Sequence, residues 1–211
     1  MSASLKPYAL TSLSDVKESL GLPSSTTKYD NLIIRKINQA TAVIENYCGR
    51  RFKATDYENE IYNGSGIDQI VLKQRPLIVS EDHALTLKAR DTALNEDDFT
   101  EVDSELIFAD NESGVLDLNF RSAGHWGSYA VTYRAGYEDI PDDLAEACAS
   151  LAAYYVGNAD ATTVNVKSKQ EGQRKLDYSQ NGISGVAQLF ENLGIDETIN
   201  SYANTAVFAD K

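Results

Sequence analysis

The residue types that most often carry enzyme chemistry are sparse in this chain. It holds two histidines, His83 and His125, in different segments, and neither has a second histidine four residues away to share a metal ion. Both read as surface or turn residues, with His125 beside Trp126 packing a turn. The two cysteines, Cys48 and Cys148, form no CxxC pair. Each falls among apolar positions of a helical pattern, where a thiol acts as a small hydrophobe and not as a nucleophile. Gly64-Ser65-Gly66 begins like a dinucleotide loop, but Gln69 stands where the third glycine belongs and no helix pattern follows, so a hairpin turn is expected. Asp110-Asn111-Glu112-Ser113-Gly114 has the flavour of a calcium loop, with its glycine one place early and no closing glutamate. A loosely held surface ion is left open there; no resident metal, cofactor or enzyme activity is expected.

Charge is the more informative signal. With 19 basic and 32 acidic residues the net charge is −13, which argues against a nucleic-acid reader, since such binding rests on Lys and Arg neutralising phosphates. The segment from Asp91 to Asp117 contains ten acidic residues and no Lys or Arg. Two readings stand: a solvated loop that aids solubility, or a wall that repels phosphate and lets a duplex slide past. In the second reading Glu96, Asp97, Asp98, Glu101 and Asp103 are the channel-facing or acidic-face residues. Of opposite sign is Arg50-Arg51-Phe52-Lys53, preceded by Arg35 and Lys36. It serves either solubility or contact with an acidic neighbour.

The elements that must hold these residues change pattern twice along the chain. Thr11 to Leu22 reads as a short helix, with Ser12 and Asp15 a near-miss of a capping box and Gly21 a stop. From Lys28 to Cys48 apolar residues recur at three- and four-residue spacing, and Gly49 sits where a left-handed C-cap belongs. Between Thr55 and Gly136 the spacing predicts short antiparallel strands at 58–62, 69–72, 84–88, 105–108, 115–118 and 129–134, with a hairpin at Asn63 to Gly66. Pro141 is placed for the first turn of a third helix running to about Val156, with Asp142, Asp143 and Glu146 suiting its positive end. Its many alanines suggest a surface that accepts neighbours on several sides. Residues 158–181 read as a polar loop or arm, with an extended piece at Val164 to Val166. A last helix is expected from Ser184 to Leu193, with a short extension from Asp196 and a frayed tail beyond Tyr202.

The fold class is therefore α+β: a helical core of about four helices with an inserted antiparallel β-rich subdomain. The expected boundaries are 1–54, 55–136 and 137–211. No apolar stretch reaches the roughly 20 residues that cross a bilayer, and Met1 to Leu10 lacks a leader's hydrophobic run, so a soluble protein of a reducing compartment is expected.

Three stretches resemble the head-tail connector, or head-completion, family of tailed bacteriophages. They are the opening helix Leu10 to Gly21, the helix Ile33 to Gly49 ending in Arg50-Arg51-Phe52, and the strand-turn-helix Val131 to Leu144 with its Ala135-Gly136-Tyr137 turn and Ile140-Pro141 helix start. The resemblance spans about residues 10–155 and is thin after Asn158. It implies a structural subunit in a ring, commonly of twelve copies, with the portal protein above and a tail-side stopper or tail-completion protein below. It further implies a place at the head-tail junction of the virion, after synthesis in the host cytoplasm, with DNA passing through unread. On this reading the partner-binding residues are Arg50, Arg51, Lys167, Lys169, Arg174, Lys175, Tyr178, Leu189 and Phe190, with the polar arm ordering at the portal. The competing readings are another tail-associated virion protein and, more distantly, a metal-assisted hydrolase or a DNA-binding regulator.

Overall fold

The computed structural model describes residues 3–64, 68–90, 99–120, 128–159, 168–171, 174–177 and 182–203. These fall into two compact units, residues 1–50 with 140–211, and residues 51–139. The fold is α+β, with five helices among the described residues and antiparallel sheets.

The first unit is helical. In α1 (Leu13–Ser19) Ser12 and Asp15 do close a capping box, because aspartate at the third position reaches back as glutamate would. α2 (Asp30–Cys48) ends at Gly49 in the left-handed region, as expected. The loop between them is held by buried Lys17, whose Nζ lies 2.7 Å from Asp30 Oδ1 and 3.3 Å from the Ser24 carbonyl oxygen. Pro141 is the N-cap of α3 (Asp142–Gly157) and stands just outside the first turn. α3 packs against α1, α2, α4 (Gly182–Leu193) and α5 (Asp196–Tyr202). Leu144, Ala147, Cys148, Ala149, Leu151 and Ala152 are all buried there. Small side chains let helix backbones approach closely, and the chain's own helices use that freedom at Ala147, Ala149 and Ala152, while Ala145 and Ala153 are only half-buried.

Two hydroxyl contacts fix this core. Thr41 Oγ1 accepts from the Leu10 amide at 3.3 Å and lies 3.7 Å from Cys148 Sγ. Tyr47 packs edge-on against Phe190, with ring centroids 5.0 Å apart, and its hydroxyl donates to Asn200 Oδ1 at 3.0 Å. The stretch expected to be a loop or arm forms a hairpin over part of its length: β8 (Ser168–Glu171) pairs with β9 (Arg174–Asp177). The extended piece at 164–166 and the tail from 204 lie outside the described residues.

The second unit is a pair of sheets. One has the order β1 (Thr55–Tyr62), β7 (Tyr129–Ala135), β3 (Thr86–Ala89), β4 (Thr100–Glu101); the other has the order β2 (Gln69–Val71), β6 (Val115–Leu118), β5 (Ile107–Asp110). Alternate residues of both, including Tyr62, Ile70, Leu87, Leu116, Leu118, Tyr129, Val131 and Tyr133, meet in one core. The hairpin expected across Asn63 to Gly66 is therefore wrong as a strand pairing: β1 pairs with β7 and β2 with β6. Turn chemistry is a local signal. The β1 tyrosines instead meet β7, Tyr57 opposite Tyr133 and Tyr62 opposite Tyr129, a long-range pairing that the turn residues do not record.

β1 and β7 meet at a joint that also holds the two ends of this unit. Gly136 has φ +114, and a Cβ there would lie 2.7 Å from the Phe52 carbonyl oxygen and 2.8 Å from the Lys53 carbonyl carbon. Around it the Tyr137 amide donates to the Phe52 carbonyl at 2.7 Å, the Ala54 amide to the Tyr137 carbonyl at 3.0 Å, and the Gly136 amide to the Pro76 carbonyl at 2.9 Å. Lys53 Nζ donates to the Glu138 carbonyl. We expect Gly136→Ala to cost about 3 kcal/mol or more, since a side chain both strains this backbone and clashes with a main chain that cannot swing away. Urea unfolding of the full chain measures it, and a loss under about 1 kcal/mol would contradict the account.

Candidate assembly surfaces

The residues weighed for chemistry are occupied structurally. His83 sits in a turn closed by reciprocal backbone bonds with Ser80, its Nδ1 3.8 Å from Asp56 Oδ1. Both cysteines are buried free thiols whose pKa burial pushes up to about 12, which is the opposite of nucleophile activation. Among the described residues no group of three or more His, Cys, Asp or Glu is placed to hold a metal ion. The calcium-like pattern is a turn: Asp110 accepts from Ser113 Oγ at 2.7 Å and from the Glu112 amide at 3.1 Å, while Gly114 at φ +70 closes the β5–β6 hairpin. Those two bonds, the Ser113 hydroxyl foremost, hold the Asp110 carboxyl below its usual range. His125 lies outside the described residues.

A polar network that sequence reasoning missed lies inside the insert. Glu60 Oε2 accepts from the hydroxyls of Tyr62 and Tyr133, both at 2.6 Å, and Glu60 Oε1 accepts from Lys73 Nζ at 3.0 Å. The Lys73 amide donates to the Tyr62 hydroxyl at 3.0 Å, tying the segment after β2 to β1. Tyr57 stacks on Tyr133 with centroids 5.1 Å apart. Burial alone would raise the Glu60 pKa, but the bonds from Tyr133, Tyr62 and Lys73 outweigh it and the net shift is downward. The tyrosine hydroxyls move up, chiefly by burial and then by donation to the carboxylate. The bulge at Asn59, φ 49, is the device that turns Glu60 inward. Asn-Glu within a strand pattern was the one available signal.

The charged segments divide into distinct places. Glu101, on β4, and Asp103, which caps the 3-10 turn Ser104–Leu106, are exposed; Glu96, Asp97 and Asp98 lie outside the described residues. Farther along the acidic run, β5 and β6 present an outer face. Phe108 of β5 stands opposite Asp117 of β6, which stands opposite Gln69 of β2; the next row is Asp110, Val115 and Val71. Phe108 is 70% exposed and Val71 51%.

The residues expected to bind a partner fall on different elements. Arg51 is exposed, its amide bonded to Gln74 Oε1 at 2.8 Å. Arg50 is buried, its amide bonded to the Glu45 carbonyl at the end of α2. Phe190 is fully buried and Leu189 partly so. Lys169 falls on β8, Arg174 and Lys175 on β9, and Lys167 and Tyr178 lie outside the described residues.

Comparison with known proteins bears on these surfaces. Residues 9–173 match the head completion protein family. Among solved structures, a chain from the neck of an empty gene transfer agent particle, computed with C6 symmetry, shares the fold at a TM-score of 0.56 and 14% identity, covering 100% of this chain and 97% of that one. The neck of the native particle, computed with C12 symmetry, gives the same values. A chain of the native gene transfer agent virion gives 0.52 and 13%, with the same coverage. No curated protein matches.

The Glu60 network carries a pH dependence of known sign. Its folded-state pKa lies below the 4.5 of the free side chain, so its stabilisation is full above that value and is lost as pH falls through the folded-state pKa. The urea midpoint of the native chain should therefore drop on acidification below 4.5. Glu60→Gln should remove that part of the pH slope and cost about 1–3 kcal/mol at neutral pH; an unchanged slope would show that the network contributes nothing.

Proposed function

This chain belongs to the head completion protein family, and we propose that it is one subunit of a closed ring of twelve copies between the portal and the tail-side stopper or tail-completion protein, lengthening the channel through which DNA passes. The family match over residues 9–173 carries this reading. The shared fold with gene transfer agent necks adds to it, because a ring of twelve is compatible with averaging in both C12 and C6 symmetry. We read the chain as a structural virion component and not as an enzyme: its thiols are buried with raised pKa values, and its calcium-like motif is a hairpin turn.

Within that role the charged surfaces take different duties. Glu101 and Asp103, with Glu96, Asp97 and Asp98 beside them in sequence, suit a channel wall, since like charge keeps a duplex from adhering. Arg51 and the β8–β9 hairpin, with Lys169, Arg174 and Lys175, suit the portal contact. Arg50, Leu189 and Phe190 serve packing within the chain in the described state, and a partner would have to displace them.

Electron microscopy of the full chain mixed with the assembled portal of the same particle tests the reading. A ring stacked on one portal face is expected. Unbound chains beside bare portals would move the assignment to another tail-associated virion component.

A further inference from the structure

The β8–β9 hairpin is a sheet of two strands only, and of its paired residues Leu176 alone is apolar. Two strands by themselves are marginal in water and persist by gaining a third strand or by burying an apolar face. With one apolar residue this hairpin has no such face to bury, which leaves a third strand. An open sheet edge supplies one through main-chain pairing.

The insert has such edges. Among the described residues the strands at its sheet margins are β1, β4, β2 and β5. The register of β1 slips between Tyr57 and Glu60, β4 has two residues and β2 three. β5 runs unbroken for four, the length of β8 and of β9. The ladder sorts its main-chain groups. The Asn119 amide donates to the Leu106 carbonyl at 2.8 Å, so Phe108 and Asp110, two and four residues on, turn theirs to β6, while Ile107 and Ala109 turn theirs to the open edge. The Ile107 amide is taken by the Ser104 carbonyl; the amide and carbonyl of Ala109 face outward. On the solvent side of the same strand Phe108 is 70% exposed, with Asp110 exposed two residues away.

The register of the hairpin fits this edge. Glu171 is opposite Arg174 and Lys169 opposite Leu176, with two residues joining the strands. A two-residue connection is closed by a hydrogen-bonded pair, so Arg174 and Leu176 turn their main chain to β8 and Lys175 turns its own outward. Antiparallel pairing of Lys175 with Ala109 sets Leu176 opposite Phe108 and Arg174 opposite Asp110. That places an apolar residue beside the bare ring and a cation between two acids, Glu171 and Asp110.

We propose that the β8–β9 hairpin of one chain joins the β2–β6–β5 sheet of a second copy, β9 pairing antiparallel to β5 in the Ala109–Lys175 register. Within one chain β5 and β9 stay in separate sheets, and the strand that completes the hairpin belongs to another copy. This contact rests on the ring reading above and deepens it. A closed ring needs heterologous contacts, in which different parts of the chain meet, and a hairpin of one copy in the sheet of the next is one. The stretch from Asp91 to Asp117, which has no Lys or Arg of its own, receives a cation from the neighbour. β8 becomes the new edge, so Lys169 keeps the portal duty given it above and Arg174 alone is reassigned.

The test is made in assembled particle necks. Necks are built from an equal mixture of Phe108→Cys and Leu176→Cys chains and oxidised with copper phenanthroline, the native thiols being buried. Residues opposed in a non-hydrogen-bonded antiparallel pair lie within disulfide reach. Disulfide-linked dimers are expected from the mixture and from neither variant alone. Asp110→Cys with Arg174→Cys is a second pair. Phe108→Cys with Arg174→Cys, a diagonal pair beyond disulfide reach, should link about tenfold less. Electron microscopy of necks of the native chain reads the same contact should the variants fail to assemble, and β9 of one copy beside β5 of the next is expected. A ring in which the β5 edge is unpaired, or the hairpin lies on the portal alone, would overturn this contact and leave the ring reading standing. Disulfides in necks of one variant alone, or closed within a chain carrying both Phe108→Cys and Leu176→Cys, would overturn it as well. Necks without a ring of this chain would overturn both readings.

Discussion

Two backbones can lie against each other only where no side chain stands between them, and Gly136 is where this chain meets that condition. The segments through which the chain enters and leaves the insert, around Phe52 and Tyr137, are bonded to each other there at main-chain distance. The insert therefore begins and ends at one point, and α2 and α3 pack together although 93 residues separate Cys48 from Asp142. The two stretches with the closest resemblance to the head-completion family, Arg50-Arg51-Phe52 and Ala135-Gly136-Tyr137, are opposite sides of this single joint.

Inside the insert the inward rows are spent on cohesion. Tyrosines that reach a shared carboxylate keep their hydroxyls paired while their rings fill the core, so a partly buried charge is tolerated because three donors face it. The outward rows are left exposed, and there Asp110 and Asp117 stand in the same rows as Phe108 and Val115. In the helical unit the division differs. Its smoothest helix, α3, buries Leu144, Ala147, Cys148, Ala149, Leu151 and Ala152 against its own neighbours and keeps Asp142, Asp143 and Glu146 exposed.

Helices were legible because each carries its own signals. Ser12 with Asp15, Gly49, and the three-and-four spacing of Ile33, Ile37, Ala40 and Ile44 depend on residues within a few positions. The positions of β1, β2, β3, β5, β6 and β7 were legible to within a few residues for the same reason, whereas β4, β8 and β9 were not expected. Strand partners were not: Asn63-Gly64 announces a turn, yet β1 and β2 belong to different sheets, and no local pattern records that Tyr62 must lie beside Tyr129. The Glu60 network escaped notice because a bulge at Asn59 reverses the face on which Glu60 lies, and alternation in the sequence counts residues without knowing where the count slips.

The sequence by itself determined the α+β class, the order of helices around a β-rich insert, the burial of both cysteines and the sign of each charged stretch. Those are consequences of composition and of spacing shorter than one element. Which charges share a face, which alanines are covered, which arginine of the Arg50-Arg51 pair is buried, and which phenylalanine is bare were decided only by tertiary structure. Each depends on what the rest of the chain, tens of residues away, brings to the other side.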